Sequence, residues 1–334
     1  MNLSFAWRDV VDVEQSDSGW SRESLIEEIP ELQWQAPGLA ESEQWQAYRR
    51  HYQLDFDGLA QVSHFAGMLH TQVYDIAVQL WRQPGARGTA LIVHGYYDHT
   101  GIYGSLIEFC LRQQLDVVIF DLPGHGLSSG ERAAIDSFQQ YDEIFSLVLQ
   151  QVQAHLIAPL YLFGQSTGGA IAINYLLKRQ LTQAQSPFQA VTLFAPLVRP
   201  KGWRRGRLLH SILSLVLRRV KREFNPNSAD ARFLKFIAEQ DPLQPRHLSV
   251  RWVGALRQWI PYIEARPTCE VALNIIQGDA DNTVDWCHNL SILSQKFPHR
   301  QVLMLPGGQH HLVNESVQNR ARIYQQVADW LNLG

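Results

Sequence analysis

The residues best suited to chemistry in this sequence lie around Ser166, in the stretch Gly164-Gln165-Ser166-Thr167-Gly168. The apolar run before this stretch predicts a buried strand, and the apolar residues after it predict a buried helix. A serine at a sharp strand-to-helix turn, with glycines where the two backbones approach each other, is typical of a nucleophile elbow. The helix would also direct its free N–H groups towards the serine. The pattern predicts a nucleophilic serine, against the alternative of a glycine-rich turn without chemistry.

A base and an acid must accompany this serine, because its hydroxyl is a weak nucleophile until a histidine held by a carboxylate takes the proton. At a nucleophile elbow the acid and then the histidine follow the serine along the chain, each after a strand. One loop in the right place contains Asp279 and Asp281, and a later loop contains His310 and His311. The residue pattern therefore predicts a Ser-Asp-His triad, with two candidates for the acid and two for the base.

The negative oxygen that forms on a substrate carbonyl needs hydrogen-bond donors, and two backbone N–H groups are candidates. The segment His94-Gly95-Tyr96 follows a predicted strand, so we expect the N–H of Tyr96 to face the reacting carbonyl. The second donor would be the N–H of Thr167, directly after the serine. This chemistry requires no metal and no organic cofactor.

Other reactive residue types in the sequence are predicted to be structural. Four of them should hydrogen-bond within their loops: His94, Asp98, His99 and His125. His94 and His99 lack the third ligand that a zinc site would require. Three scattered cysteines are predicted to be reduced thiols rather than disulfides: Cys110, Cys269 and Cys287.

The elements that would position these residues alternate between strands and helices, which predicts an α/β fold with a mostly parallel sheet covered by helices on both faces. Strands are predicted at residues 74–80, 89–94, 116–120, 160–163, 190–194, 271–276 and 301–305. Helices are predicted at residues 102–114, 137–154, 169–178, 284–296 and 317–331. Residues 71–197 and 266–334 would form this core. Residues 1–70 are predicted to be an irregular leader that ends in a helix and packs on the core through its tryptophans.

Residues 198–265, the inserted segment, interrupt the alternation and are predicted to form a helical cap without strands. Residues 199–222 contain many Lys and Arg side chains and no acidic residue, and apolar residues at helical spacing predict a basic helix over residues 207–222. This helix is open to three interpretations: a solvated surface, a surface that approaches anionic lipid, or part of a dimer interface.

Composition limits the possible partners and the compartment. The chain has 334 residues, a hydrophobic content of 46% and a net charge of −3, which suits one large domain with an insertion and excludes a general nucleic-acid binder. The first residues show no basic segment followed by an apolar run, and no apolar stretch reaches the roughly 18 residues that span a bilayer. We therefore expect a cytoplasmic protein.

Four motifs resemble those of the α/β-hydrolase superfamily, within it the monoacylglycerol lipases and bacterial lysophospholipases (serine aminopeptidase S33-type). The first motif, H-G-x-x-E-H-S-G-x-Y, is similar to His94-Gly95-Tyr96-Tyr97-Asp98-His99-Thr100-Gly101-Ile102-Tyr103. The second motif, D-x-x-G-H-G-x-S-x-G, is similar to Asp121-Leu122-Pro123-Gly124-His125-Gly126-Leu127-Ser128-Ser129-Gly130. Gly278-Asp279-Ala280-Asp281 and Pro306-Gly307-Gly308-Gln309-His310 resemble its acid and histidine loops. The resemblance covers residues 74–331 and implies an α/β-hydrolase fold with a helical cap before the acid-bearing strand.

The resemblance also implies one residue for each catalytic role. It makes Ser166 the nucleophile. It makes Asp281 the acid, because the acid of the family is the last residue of its G-x-x-D turn. It makes His310 the base, because the histidine of the family lies three residues after the first glycine of its loop. The sequence departs from the family at Gln165 and Thr167, where His and Met are usual. Since Thr167 keeps its backbone N–H, its expected role in oxyanion binding is unaffected.

The sequence thus predicts a serine hydrolase that acts on carboxylic esters, and the resemblance implies single-chain lipid esters. An aminopeptidase or amidase of the same fold is the alternative among enzymes. It would need an acidic group for the substrate amine, and residues 199–222 contain none. The alternative outside enzymes is a catalytically inactive binding protein, which would lack a member of the triad.

Overall fold

The structure is a computed structural model of the 334-residue chain. It describes Trp7 and residues 19–34, 42–56, 58–59, 61–214 and 216–332, without the side chains of Leu209, Ile212 and Leu213. The predicted leader therefore lies partly outside the described residues. The three cysteines are unpaired. No helix of the described chain is both long and apolar enough to cross a bilayer.

Ten strands form one large sheet and one small ribbon. They are β1 (Ser63–His70), β2 (Asp75–Arg82), β3 (Thr89–Val93), β4 (Asp116–Phe120), β5 (Leu160–Gln165), β6 (Phe188–Phe194), β7 (Arg219–Lys221), β8 (His247–Ser249), β9 (Leu273–Gly278) and β10 (Arg300–Leu305). The large sheet has the order β1-β2-β4-β3-β5-β6-β9-β10. In that sheet β2 runs opposite to the other seven described strands, which are all oriented in one direction. The carboxyl ends of β3, β5, β6, β9 and β10 consequently meet at one edge.

Helices cover both faces of the sheet, as predicted. They are α1 (Arg22–Glu28), α2 (Glu43–Tyr52), α3 (Gly104–Arg112), α4 (Phe138–His155), α5 (Thr167–Arg179), α6 (Trp203–Leu213), α7 (Ala231–Lys235), α8 (Val250–Glu264), α9 (Trp286–Lys296) and α10 (Val317–Leu331). Every residue of β3 and β4 is buried, and their side chains alternate between two hydrophobic clusters. Ile92 packs in the cluster that contains α3 and α10, whereas Leu91 packs in the one that contains α4 and α5. This two-sided burial explains the continuous apolar runs by which these strands were predicted.

The leader contributes a strand that the sequence did not predict, because Ser63–His70 contains two histidines and a glycine rather than β-branched residues. Gly67 of β1 is required, since a Cβ there would lie 2.6 Å from Cα of Leu32. Leu32 donates its N–H to the carbonyl of Met68 at 2.9 Å. The leader thus supplies hydrogen-bond partners to an otherwise open sheet edge. Its three tryptophans in the described ranges 19–34 and 42–56 are buried: Trp20, Trp34 and Trp45.

The inserted segment contains helices α6, α7 and α8, but two predictions about it are wrong. Strands β7 and β8 form an antiparallel ribbon in which Val220 pairs with Leu248. The basic helix predicted over residues 207–222 ends at Leu213. Backbone pairing with β8 overrides the helical periodicity here, and Val216, which the helix would have buried, is 76% exposed.

Candidate active site

Ser166 lies at the turn between β5 and α5, at the edge where the parallel strands end. Its backbone has φ 50° and ψ −108°, a conformation that costs a non-glycine residue free energy and persists only where neighbours enforce it. The N–H of Ser166 donates to the carbonyl of Phe194 at 2.9 Å, and its own carbonyl accepts from the N–H of Leu197 at 3.0 Å. A Cβ on Gly168 would lie 1.9 Å from the carbonyl oxygen of Val93. The glycine therefore allows α5 to start close to β3, which holds the serine in the turn.

The three predicted triad side chains meet at this edge. His310 Nε2 lies 2.9 Å from Oγ of Ser166, and His310 Nδ1 lies 2.7 Å from Oδ2 of Asp281. Asp281 and His310 follow β9 and β10, whose parallel pairing brings their carboxyl ends side by side. All three side chains are buried. With its Nδ1 proton donated to Asp281, the imidazole presents the lone pair of Nε2 to the serine hydroxyl.

Asp281 is held as an anion by its own loop. Its Oδ1 accepts from the N–H groups of Thr283 at 2.7 Å and Val284 at 3.1 Å, and its Oδ2 from the Gln277 amide at 3.1 Å. Burial alone would raise the pKa of Asp281, but His310 and these backbone donors lower it below its ordinary value. The other candidate acid, Asp279, is exposed and accepts from the N–H of Gly307 instead. Geometry thus separates the two aspartates.

The two adjacent histidines have separate carboxylate partners. His311 Nε2 lies 3.2 Å from Oδ1 of Asp98, whose Oδ2 accepts from the Tyr103 hydroxyl at 2.8 Å and the Gly95 N–H at 3.1 Å. Burial would raise the pKa of Asp98, yet His311 and Tyr103 hold it well below the ordinary value. Nδ1 of His311 is buried without a hydrogen-bond partner in the described part of the chain. His311 is therefore part of the cavity wall rather than of the Ser166 relay.

Both residues whose N–H groups are expected to bind an oxyanion, Tyr96 and Thr167, line the same cavity as Ser166. Neither the N–H of Tyr96 nor that of Thr167 has a backbone acceptor within the described ranges. The ring of Tyr96 is stacked on Trp252 of α8, with centroids 3.8 Å apart. Its hydroxyl donates to the carbonyl of Ala133 at 2.8 Å. The position of the Tyr96 backbone thus depends on contacts with both the core and the inserted segment.

The neighbouring loop histidines make hydrogen bonds within the fold. His94 donates from Nδ1 to the carbonyl of Gly95 at 2.7 Å and accepts at Nε2 from the N–H of Leu122 at 2.9 Å. Burial lowers the pKa of His94 and of His125, which keeps both rings neutral. The searched part of the chain contains no group of His, Cys, Asp or Glu side chains arranged to hold a metal ion.

A cavity of about 190 Å³ contains the Ser166 and His310 side chains in its wall. One set of its lining residues is apolar: Leu197, Ile237, Leu248, Trp252 and Val284. A second set is polar: Asp98, Arg222, Asn227, Gln244 and His311. Many of these residues belong to the inserted segment, so that segment forms much of the cavity wall. Sequence reasoning missed Arg222 and Asn227, because no local pattern shows which residues of an insertion face the core.

Comparison with known proteins identifies the family of this chain. The sequence profile of a family described as "Serine aminopeptidase, S33" matches residues 84–317. The chain belongs to this family. Human monoglyceride lipase is 26% identical over 264 residues, which cover 75% of this chain and 85% of that protein. Phospholipase YtpA of Bacillus subtilis (strain 168) is 27% identical over 213 residues, covering 61% and 80% of the two chains.

A solved structure shows the same fold. The crystal structure of a soluble variant of monoglyceride lipase from Saccharomyces cerevisiae, in complex with a substrate analog, superposes with a TM-score of 0.68. The match is 18% identical and covers 80% of this chain and 94% of the yeast chain. The α/β-hydrolase fold and the membership of the family, both predicted from the sequence motifs, are thereby confirmed.

Proposed function

We propose that this protein is a serine hydrolase that cleaves carboxylic esters of single-chain lipids through an acyl-enzyme intermediate. One observation carries the proposal: Ser166, His310 and Asp281 form a continuous hydrogen-bonded relay, with distances of 2.9 and 2.7 Å, in the wall of a cavity. A serine in contact with the free nitrogen of a carboxylate-bound histidine is the arrangement that activates a hydroxyl for attack.

The proposed role of each residue follows from the atoms that it brings into contact. Oγ of Ser166 attacks the ester carbonyl while Nε2 of His310 takes its proton. The N–H groups of Tyr96 and Thr167 stabilise the resulting oxyanion, assisted by the positive end of α5. His310 then gives its proton to the leaving alcohol, and Asp281 stabilises the imidazolium. Water, activated by the same histidine, releases the carboxylic acid and restores Ser166.

The substrate assignment rests on the cavity and on the relatives. The apolar part of the cavity wall suits an acyl chain, and the inserted segment would serve as its cap. Relatives of comparable length are called monoglyceride lipase in human and phospholipase in Bacillus subtilis. Lysophospholipase, monoacylglycerol lipase and carboxylesterase activities all fall within this proposal.

The cavity disfavours an aminopeptidase, the alternative within the same fold. Asp98 is the one carboxylate among the described residues that line the cavity. Both of its oxygens already accept hydrogen bonds from the protein, from His311, Tyr103 and the Gly95 N–H. A substrate ammonium group would also lie near the Arg222 cation. An inactive binding protein is disfavoured because no triad member is missing.

The inserted segment also presents a surface suited to transient contact with an anionic membrane. Its exposed cations include Arg204, Arg205, Arg207, Arg218, Arg219 and Lys221. Three apolar side chains beside them are exposed as well: Leu208, Val216 and Leu217. Basic and apolar residues together favour binding at the surface of anionic bilayers. We propose that the enzyme works in the cytoplasm and meets its lipid substrates at such a surface.

The proposed reaction is tested by a fluorophosphonate probe, which bonds covalently to an activated serine. Intact-mass spectrometry should show one adduct on the wild type and none on Ser166→Ala, with the site located by peptide mapping. Esters of graded acyl length should be hydrolysed by the wild type alone. An adduct on a different residue, or no adduct on a folded wild-type protein, would contradict the assignment of Ser166.

A further inference from the structure

We propose that Arg222 binds an anionic group on the alcohol part of the substrate, so that the preferred esters are monoacyl lipids with a phosphate in the headgroup. This inference rests on the proposed function, because it concerns the substrate of the same site. It chooses among ester classes that the names of the relatives leave open.

Arg222 differs from the other cations of its segment. Arg218, Arg219 and Lys221 are exposed, whereas Arg222 is half-buried and lines the same cavity as Ser166. Its Nη1 donates to Oε1 of Gln244 at 2.7 Å. Its Nε and Nη2 have no acceptor in the part of the chain that the structure describes. Part of the guanidinium is thus fixed by the protein, while the remaining donors are available to a ligand.

No carboxylate among the described residues forms an ion pair with Arg222. Asp98 and Asp241 favour its charged form from a distance, but each of them is hydrogen-bonded to a histidine, His311 and His99 respectively. Burial is the main cause that lowers the pKa of Arg222. A partly desolvated cation is stabilised by an opposite charge, and a guanidinium binds phosphate oxygens through two parallel N–H donors. An anionic ligand would supply the missing partner.

Arg222 also contacts the loop that contains the proposed oxyanion donor. Its guanidinium carbon is 3.9 Å from the ring centroid of Tyr97, the residue after the proposed oxyanion donor Tyr96. Tyr97 has φ 74°, a left-handed conformation that is unfavourable for a tyrosine and turns the chain sharply between the two sites. A group bound to Arg222 would therefore lie beside the Tyr97 ring, in the cavity that Ser166 also lines.

Two residues of the cavity wall, His311 and Asn227, carry unmatched acceptors that suit a hydroxyl on the same headgroup. Nδ1 of His311 and Oδ1 of Asn227 are both buried without a partner in the described chain. Since His311 Nε2 faces Asp98, its Nδ1 accepts hydrogen bonds in the neutral ring. Unmatched buried acceptors cost free energy, and a hydroxyl of a glycerol moiety would satisfy one of them. An acylated glycerol phosphate has both required groups: an anion for Arg222 and a hydroxyl for these acceptors.

The test compares three esters with the same short acyl chain, each below its micelle concentration: monoacylglycerol, 1-acylglycerol-3-phosphate and lysophosphatidylcholine. Wild type should show a higher kcat/KM for both phosphate-containing esters than for monoacylglycerol. Arg222→Met should lose about 10- to 100-fold on those two esters, as expected for a hydrogen bond to a charged group, and little on monoacylglycerol. Arg222→Lys should retain part of the preference. Arg322→Met, an exposed arginine of α10, is the matched control and should behave as wild type.

The outcomes separate this inference from the proposed function. An equal loss on all three esters would mean that Arg222 only supports the fold, and a wild type that prefers monoacylglycerol would also overturn the inference. Either result leaves the ester hydrolase assignment intact. Absence of hydrolysis of every ester by a folded wild type would instead contradict the proposed function itself. If the wild type had a higher kcat/KM for lysophosphatidylcholine alone, that result would indicate recognition of choline. It would equally overturn the proposed role of Arg222.

Discussion

His99 and Asp241 form a buried hydrogen bond of 2.9 Å that joins the loop after β3 to the inserted segment. Tyr52 of α2 donates to the same carboxylate at 2.7 Å, so the leader is attached at this point too. Burial alone would raise the pKa of Asp241, but His99 and the hydroxyl of Tyr52 lower it to about 2. Three separate parts of the chain therefore depend on one buried anion.

Replacing this anion should destabilise the whole fold. Asp241→Asn leaves His99 without its charged partner, and breaking a buried pair costs about 3 kcal/mol or more. Urea denaturation at neutral pH measures the loss in the free energy of unfolding. Exposed Glu239, two residues earlier, is the control: Glu239→Gln should change this free energy by less than about 1 kcal/mol. Equal stabilities of the two variants would show that the junction contributes nothing.

The adjacent histidines should differ sharply in their effect on catalysis. His310→Ala should lower kcat for a nitrophenyl ester by about a thousandfold or more, because it removes the proposed general base from Ser166. His311→Ala should lower it far less, since the His311 ring contacts Asp98 rather than the serine. Circular dichroism must show that both variants are folded. The reverse order of the two effects would assign the base to His311.

His64 should make the protein sensitive to acid. Burial, with Arg49 nearby, lowers the pKa of His64 from 6.5 to about 3, and its ring stacks on Trp81 while Nε2 contacts Gln79 at 3.1 Å. The unfolded chain binds a proton below pH 6.5 and the folded chain only near pH 3, so stability falls as the pH decreases between these values. At pH 4.5 this contribution is about 2 to 3 kcal/mol.

The variant His64→Gln keeps a donor for Gln79 but cannot take up the proton. The difference in urea midpoint between pH 7 and pH 4.5 should therefore be smaller in this variant than in the wild type. A His64→Gln protein with the full pH dependence of the wild type would place the acid sensitivity elsewhere.

Vesicle binding should depend on the exposed cations of the inserted segment. Each Lys or Arg near an anionic surface contributes about 1 kcal/mol, so replacing Arg204, Arg205, Arg207, Arg218, Arg219 and Lys221 by Gln should abolish co-sedimentation. Binding of the wild type should rise with anionic lipid content and fall with salt. Hydrolysis of a soluble short-chain ester should be unchanged, because none of these six side chains lines the cavity that contains Ser166. Equal binding to neutral and anionic vesicles would leave these cations as an ordinary solvated surface.

Short sequence patterns predicted the parts of the molecule whose structure is determined by residues close to one another in the sequence. The elbow at Ser166 and the strands β3 to β6 have short-range signatures: glycines where backbones approach, and apolar runs where both faces are covered. The local pattern left His310 and His311 as two candidates, and only the resemblance to the family favoured His310, which the structure brings to the serine. The roles of these residues in catalysis remain predictions until the labelling and variant experiments are done.

Features that depend on distant contacts were not predictable in the same way. β1 is a strand because it pairs with β2 and with residues near Leu32, although its own sequence is a poor strand former. The helix expected up to residue 222 is replaced by β7, because backbone pairing with β8 stabilises these residues more than a longer helix would. Asp241 and Arg222 acquire their environments only when the inserted segment is placed on the core.

The stacking of Tyr96 on Trp252 implies an order of events during turnover. If α8 moves to admit a long acyl chain, that movement separates two rings whose centroids are 3.8 Å apart. The Tyr96 backbone, whose N–H is the proposed oxyanion donor, would then lose this contact. We expect the open form to be chemically silent, with hydrolysis beginning only after α8 returns over the bound lipid. The cavity would thus not be open for exchange of substrate and product at the same time as the site is ready for hydrolysis.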